Sequence, residues 1–313
     1  MTLLWTFEAV GFALGMLFGS FLNVCISRLP KHESIVTPRS RCLQCGEPIR
    51  WYDNIPIVSW LILRARCRAC GQPISWRYPL VELALGCWFV VIILRCFILL
   101  LVGMYVQLTT ESYASLIILG LSLAILGFLL IGLIVMDWQT HLLPDAFTLT
   151  GIAIGFFLVC VQAIFLAPHE GDVVLNTTHQ LRLSSPGSNA ASGNIFLTGT
   201  EALVWGRIAA ILGTALLLLL IRRVYQAVRH REGLGLGDVK LIAMIAAFLG
   251  FWPAMLALFF GVLGATAYAS LLLLRGRAHR LTRLPLGSFI AAGGLVASLF
   301  GNRLINMYTT LLR

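Results

Sequence analysis

The sequence predicts an all-α polytopic membrane protein with about eight transmembrane helices and a small cytoplasmic domain between the first two. Of its 313 residues, 59% are hydrophobic and 12% are charged, whereas soluble domains are about 45–50% apolar and about 25% charged. The apolar residues are collected in runs of about 20, the length that crosses the hydrocarbon core of a bilayer. Nine, five and four of the 23 basic residues lie in 28–77, 222–240 and 275–283, and the positive-inside rule places these three clusters in the cytoplasm.

The transmembrane segments follow from the apolar runs. Five runs, each predicted to be one helix, cover 3–26, 79–102, 114–136, 146–166 and 203–221. The run 241–274 is too long for one span and too short for two full spans, so we expect two short helices joined by a tight turn at Pro253. A short last segment covers 286–301. Because Met1–Phe18 contains no Lys or Arg, we expect an uncleaved first span with an extracytoplasmic N-terminus.

The predicted spans divide the chain into a first transmembrane helix at 1–26, a cytoplasmic domain at 27–78 and a multi-span core at 79–313. Within the core, 167–202 is rich in Ser, Gly, Asn and Thr, which predicts a flexible extracytoplasmic loop. The positive-inside rule explains the excess of basic residues, because it relates them to the orientation of the chain in the lipid bilayer. A nucleic-acid partner is not expected, because it would need one contiguous soluble domain with base-stacking aromatic residues.

Two cysteine pairs dominate the predicted cytoplasmic domain. Cys42 and Cys45 lie in RCLQCGEPIRW, and Cys67 and Cys70 lie in the near-repeat RCRACGQPISW. In both, a glycine follows the second cysteine and allows a tight turn. Four thiolates in this doubled CxxC pattern are typical of a closed, structural zinc site. Two disulfides or a thioredoxin-like redox pair are the alternatives, and both are disfavoured by the reducing cytosol and by the lack of a βαβ pattern.

Two aspartates at the ends of predicted spans are the candidate catalytic groups. Asp137 ends the third apolar run, and Asp238 begins the sixth after a stretch that contains Gly235 and Gly237. Both are predicted at the same depth on the cytoplasmic face. Two neighbouring carboxylates share one proton, so one can activate water while its protonated partner polarises a carbonyl, as in aspartic proteases. Glycines before the second aspartate allow close approach of an extended substrate.

The sequence alone allows other interpretations of these polar residues. Asp238 and Asp145 both suit helix N-caps, and for Asp145 the cap is favoured. His141 is interpreted as an interfacial histidine. Glu82, at the start of the second span, fits either an interfacial acid whose hydrogen bonds are satisfied or a residue of a substrate site. We group it with Gly235 and Gly237 as a substrate-site candidate. Because intramembrane carboxylates also mark ion pathways, a proton-coupled membrane transporter is the alternative function.

Several stretches together resemble the type IV prepilin peptidases, the bacterial bifunctional prepilin leader peptidase and N-methyltransferase family. They occur in the order of that family and are spread over most of the chain. They are GSFLNVCISRLP (19–30), the two CxxC pairs, DNIPIVSWL (53–61), SWRYPLVEL (75–83), Asp137 with LLPD (142–145), GLGLGDVKL (233–241) and LPLGSFIAAGG (284–294).

The resemblance implies a GxGD-type intramembrane aspartic endopeptidase in the bacterial inner membrane. Such an enzyme cleaves the basic leader of type IV prepilins or pseudopilins after a glycine at the cytoplasmic face. It then methylates the new N-terminus with S-adenosylmethionine. Carried over by motif, the catalytic pair is Asp137 and Asp238, and the GxGD glycines are Gly235 and Gly237. Methylation rests on the resemblance alone, because no GxGxxG motif follows a strand to hold the cofactor.

Overall fold

The structure is a computed structural model that describes residues 2–37, 39–42, 44–105, 110–166, 200–229, 235–276 and 284–311. Within these ranges the α-helices are α1 (Thr2–Arg28), α2 (Val58–Ile62), α3 (Arg77–Tyr105), α4 (Thr110–Thr140), α5 (Asp145–Leu166), α6 (Thr200–Arg229), α7 (Leu236–Leu249), α8 (Phe251–Leu274) and α9 (Leu286–Leu311). Seven of these helices are long and apolar enough to cross a membrane. The predicted all-α polytopic class is therefore confirmed.

The short helix α7 is enclosed by its neighbours. Nine of its 14 residues are buried, and it packs against α5, α6, α8 and α9. Its length is about 21 Å at 1.5 Å per residue, compared with about 30 Å for the hydrocarbon core of a bilayer. Leu241, Ile242, Met244 and Ile245 are fully buried, so α7 contributes to the centre of the apolar core. Asp238 lies in its first turn.

Helices α1 and α3 approach each other closely along glycines of α1. A Cβ added to Gly15 would lie 2.6 Å from the carbonyl oxygen of Leu85, and one added to Gly19 would lie 2.6 Å from Cα of Glu82. No side chain fits into gaps of this size, so the two backbones are in contact, as small residues allow between membrane helices. This packing fixes the ends of α1 and α3 between which the cysteine-rich segment is inserted.

The cysteine-rich segment contains two equivalent turns and the short helix α2. Each turn is closed by one antiparallel bridge, between Arg41 and Pro48 in the first and between Arg66 and Pro73 in the second. Arg68 of the second turn binds both carboxylate oxygens of Asp53 through its guanidinium at 2.8 and 2.6 Å. These hydrogen bonds lower the pKa of Asp53.

The region 241–274 differs in detail from the expectation of two short helices. The turn is at Gly250, whose φ of 93° is accessible to glycine, and not at Pro253. Pro253 lies in the first turn of α8, where a missing N–H group breaks no helical hydrogen bond. Only α7 is short, since α8 has 24 residues.

The last helix and the polar loop also differ from the expected boundaries. Helix α9 continues to Leu311 and has 26 residues, whereas the apolar run ends near residue 301. The helix outlasts the run because residues 302–311 mix polar and apolar side chains and contain no Gly or Pro. The predicted loop 167–202 lies outside the described residues up to 199, and α6 already begins at Thr200.

We expect Gly19→Leu to lower the melting temperature of the detergent-solubilised protein, because the new side chain must displace the backbone of α3. Overpacking of this kind costs about 1–3 kcal/mol. Gly206→Leu on α6 is the matched control, since a Cβ there meets no atom within 4 Å. Thermal unfolding followed by circular dichroism compares the two variants. Equal melting temperatures would show that α1 and α3 do not pack as described.

Candidate active site

Asp137 lies near the end of α4 and is 5% exposed. Its Oδ2 accepts two hydrogen bonds from Ser288 in the first turn of α9, from the backbone N–H at 2.6 Å and from the hydroxyl at 3.0 Å. The single hydroxyl proton of Ser288 is shared between this oxygen and the carbonyl oxygen of Ile134, which lies 2.9 Å from the hydroxyl and one turn before Asp137. Two donors on one oxygen hold the carboxylate in a single orientation and stabilise negative charge on it.

The second aspartate, Asp238, is half-buried in the first turn of α7. The backbone N–H of Gly235 donates to its Oδ2 at 3.3 Å, so that the carboxylate caps the start of its own helix. Asp238 is near enough to Asp137 for the two negative charges to interact. The structure therefore brings the two sequence-predicted aspartates together, although they are 101 positions apart in the chain.

Leu143, in the link between α4 and α5, packs against the starts of α7 and α9. A Cβ added to Gly237, next to Asp238, would lie 3.2 Å from Leu143. A Cβ added to Gly287 would lie 2.9 Å from Leu143 and 3.1 Å from the Asp137 carboxylate. The two glycines therefore leave room for Leu143. At position 237, the contact with Leu143 is a sufficient reason for glycine, so no contact with a substrate is needed to explain it.

The link between α4 and α5 contains two further residues that the sequence singled out. His141 ends α4 with a left-handed φ of 52°, and its N–H donates to the carbonyl of Asp137. Asp145 is the first residue of α5, and its Oδ1 lies 2.6 Å from Nζ of Lys240 in α7. This ion pair joins the start of α5 to the turn that carries Asp238. Asp145 thus has a partner on another helix in addition to its place at a helix start.

Glu82 lies elsewhere in the bundle, on α3. It is buried, with 7% exposure, and its Oε2 accepts the backbone N–H of Ile57 at 2.8 Å. Its contacts are with α1 and with the cysteine-rich segment. A hydrogen bond of 2.9 Å between Arg77 of α3 and Gln139 of α4 shows that this end of α3 lies beside the end of α4 that carries Asp137.

The four predicted metal ligands converge. The sulfur atoms of Cys42, Cys45, Cys67 and Cys70 all lie within 4.8 Å of one another, and Sγ of Cys42 and Cys70 are 3.9 Å apart. A tetrahedral ion with bonds of about 2.3 Å would place its sulfur ligands about 3.8 Å apart. The four cysteines therefore form a group that fits one metal ion.

Both cysteine turns have the same backbone geometry. The N–H groups of Gly46 and Gly71 donate to the carbonyls of Cys42 and Cys67, each at 2.9 Å. The two glycines have φ values of 75° and 69°, which side chains disfavour. The glycine after each CxxC is thus required by the turn that presents the two sulfur atoms.

Comparison with protein families identifies two matching regions. Residues 13–96 match the bacterial peptidase A24 N-terminal domain, and residues 188–270 match the type IV leader peptidase family. The first region contains the four cysteines and Glu82, and the second contains Asp238. Asp137 lies between the two regions.

Whole-chain relatives decide the family. A prepilin leader peptidase/N-methyltransferase of Burkholderia pseudomallei is 31% identical over 320 residues, which cover 94% of this chain and 85% of the relative. The chain belongs to the type IV leader peptidase family. A relative of the same name from Aeromonas hydrophila is 30% identical, covering 98% of this chain and 95% of the relative.

Another relative of this family, a prepilin leader peptidase/N-methyltransferase of Myxococcus xanthus, is 36% identical over 269 residues. That match covers 85% of this chain but only 64% of the relative. No solved structure matches the chain. Membership of the type IV leader peptidase family and seven membrane-crossing helices together make this a multi-pass membrane protein.

Sequence reasoning did not assign roles to Ser288, Gly287 and Leu143. The first two lie in the tail 284–294, which the family resemblance marks without indicating what they contact. Leu143 lies in the LPD stretch but has no polar group that could draw attention to it. Their importance comes from contacts with residues up to 151 positions away.

We expect the purified protein to contain one metal ion per chain, bound by the four cysteines. Replacing Cys42 and Cys67 together by Ser removes one ligand from each turn and should abolish stoichiometric metal binding. Cys87→Ser, at an exposed thiol of α3, is the control. Metal content measured by mass spectrometry tests this. Unchanged content in the double variant contradicts the site.

Proposed function

We propose that this chain is an intramembrane aspartic endopeptidase that removes the leader of type IV prepilins or pseudopilins after a glycine, at the cytoplasmic face of the bacterial inner membrane. It then methylates the new N-terminus. The observation that carries the proposal is the pairing of Asp137 with Asp238 at the ends of two helices, in a chain of the type IV leader peptidase family. The orientation, with an extracytoplasmic N-terminus, is supported by the three basic clusters.

The two carboxylates take different roles in this proposal. Asp137 acts as the base, since two donors from Ser288 stabilise its negative charge. It takes a proton from water, whose oxygen forms a bond to the carbonyl carbon of the scissile peptide. Asp238 gives its proton to the carbonyl oxygen. When the tetrahedral intermediate collapses, the former carbonyl oxygen returns its proton to Asp238 and the C–N bond breaks with its electron pair on nitrogen. The nitrogen takes the proton that Asp137 accepted from water and departs as an amine, so both aspartates return to their starting states.

The substrate is expected to approach along the segment that leads into α7. Gly235 is extended, with φ −73° and ψ 149°, and is exposed. A Cβ added there would lie 3.3 Å from the Asp238 carboxylate, so a side chain would crowd the reacting group. On the other side, the rings of Trp138, Tyr268 and Phe289 contact one another with centroids 5.5–6.2 Å apart. This aromatic cluster offers an apolar surface beside Asp137 for the pilin helix.

We assign the four-cysteine site to structural zinc. Four thiolates leave no open position for substrate, and they suit zinc better than magnesium or calcium, which prefer oxygen ligands. The methyl group would come from S-adenosylmethionine, which the names of the relatives imply through their N-methyltransferase activity.

The alternative of a proton-coupled transporter gains no support. The matching family models and the relatives described above are peptidases by name. The paired aspartates lie at helix ends beside a glycine segment, which suits a peptide substrate as well as a proton pathway. A substrate-dependent proton flux without peptide cleavage would be needed to restore that alternative.

We expect Asp137→Asn and Asp238→Asn each to reduce prepilin cleavage in lipid by at least about 100-fold, the scale of general acid–base catalysis. Asp172→Asn, in the predicted extracytoplasmic loop, is the control and should cleave normally. Intact mass of the product reports cleavage and methylation together. Normal cleavage by either active-site variant would disprove the assignment of the pair.

We expect Ser288→Ala to lower kcat about tenfold with little change in KM, because one hydrogen bond to a charged group contributes about 1.5–3 kcal/mol. Ser288→Thr keeps the hydroxyl and should recover most of the rate. Ser298→Ala is the matched control, since it removes another buried hydroxyl from α9. An equal loss of kcat in Ser288→Ala and Ser298→Ala would indicate a general effect on α9 packing.

A further inference from the structure

A second buried polar pair lies at the end of α1 and α3 that borders the cysteine-rich segment. Glu82 and Asn23 are 7% and 3% exposed, and neither takes part in the proposed cleavage. Polar groups this deeply buried are expected to be hydrogen-bonded. The hydrogen bonds that the two residues make, and one acceptor atom that has no donor, indicate what they bind.

The two residues lie about one helical turn apart at the close contact of α1 and α3. Gly19 packs on Glu82, and Asn23 follows Gly19 by one helical turn on the same face of α1. Asn23 Nδ2 donates to the carbonyl oxygen of Tyr78 at 3.0 Å, and Tyr78 precedes Glu82 by one turn of α3. Residues one turn apart on a helix are neighbours, so Asn23 lies beside Glu82.

The side-chain oxygen of Asn23 is an unpartnered acceptor. Oδ1 is fully buried and has no hydrogen-bond partner. The orientation of the amide is decided by Tyr78, because its carbonyl oxygen can only accept a hydrogen bond and the nitrogen must face it. A buried carbonyl oxygen without a donor is unfavourable, so this position is suited to a donor that comes from another molecule.

The Glu82 carboxylate is covered by a strained segment. Its donors are the N–H of Ile57 at 2.8 Å and the Ser20 hydroxyl. Ile57 has a φ of 59°, which is a true outlier for a β-branched residue. A neutral backbone N–H held in this conformation is a weaker partner for a carboxylate than a cationic donor. A cationic donor would therefore be a stronger partner for Glu82 than the segment that contains Ile57.

From these observations we propose that Glu82 and Asn23 bind a primary ammonium group, the α-amine that leader cleavage exposes on the pilin chain. The ammonium replaces the Ile57 N–H at Glu82 and donates to the free oxygen of Asn23. Both protein groups are acceptors, so a ligand with several N–H donors fits them. A metal ion fits less well, since Glu82 is not part of any cluster of three or more potential ligands in the described part of the chain.

The proposal rests on the proposed function and gives Glu82 a role in its second step. The pair lies at the end of α3 that Arg77 joins to the end of α4 that carries Asp137, so it is on the same side of the bundle as the proposed cleavage site. There the ammonium loses a proton to Glu82. S-adenosylmethionine, when bound beside this pair, would supply the methyl group that the deprotonated nitrogen takes up.

Binding of a product peptide to the full-length protein in lipid nanodiscs, without S-adenosylmethionine, tests the inference. The peptide begins at the residue after the cleaved bond and is used with a free or an acetylated α-amine. Wild-type protein should prefer the free amine. Glu82→Gln and Asn23→Leu should each weaken binding of the free-amine peptide by about tenfold, as expected for loss of a hydrogen bond to a charged group. Glu33→Gln, at an exposed acid, is the matched control.

Three further results decide between this inference and its competitors. Unchanged preference for the free amine in Glu82→Gln and Asn23→Leu overturns it. Weaker binding of S-adenosylhomocysteine alone in these variants also overturns it, since the site then belongs to the cofactor. Prepilin cleavage is measured on the same samples. Normal cleavage together with an unmethylated product supports the inference, whereas failure of wild-type cleavage rejects the proposed function instead. Should Glu82→Gln not fold, Asn23→Leu leaves the Ile57 contact intact and provides the same test.

Discussion

The contact of Leu143 with two glycines is the constraint on which the candidate active site depends. The proposed catalytic pair and its hydrogen-bond donor Ser288 need three helix ends, those of α4, α7 and α9, to meet. Leu143 packs against Gly237 at the start of α7 and against Gly287 at the start of α9. Any side chain at Gly287 would reach the Asp137 carboxylate. The geometry of the carboxylates therefore depends on the apolar side chain of Leu143 and on the absence of a side chain at Gly237 and Gly287.

Around this contact, the two carboxylates have unequal surroundings. Asp137 is buried and receives two hydrogen bonds from the first turn of α9, where the helix dipole also favours negative charge. Asp238 is half-buried and receives one backbone N–H from its own turn. Chemically identical groups can thus hold different protonation states, which is what acid–base catalysis by a carboxylate pair requires.

The sequence predicted those features that depend on local composition. Apolar runs identified the spans because hydrophobic length is read directly from the chain, and the repeated CxxC pattern identified the four-cysteine cluster because its members lie on two short turns. The scarcity of acids identified Asp137 and Asp238. Ser288 could not be found in this way, because a serine that donates to a residue 151 positions away leaves no local pattern. The sequence predicts the helix break at Pro253, but the structure has it at Gly250. The prediction is wrong because proline is tolerated in the first turn of a helix, and because a sequence does not show which glycine has a positive φ.

The shortness of α7 bears on how the proposed peptide hydrolysis takes place inside a membrane. A bilayer of about 30 Å excludes water, and peptide hydrolysis consumes one water molecule per turnover. A helix of about 21 Å cannot match that thickness. Because α7 is enclosed by longer helices, at least one of its ends is recessed within the bundle. At the end that carries Asp238, the exposed Gly235 gives water a route to the proposed catalytic pair that does not cross the apolar core.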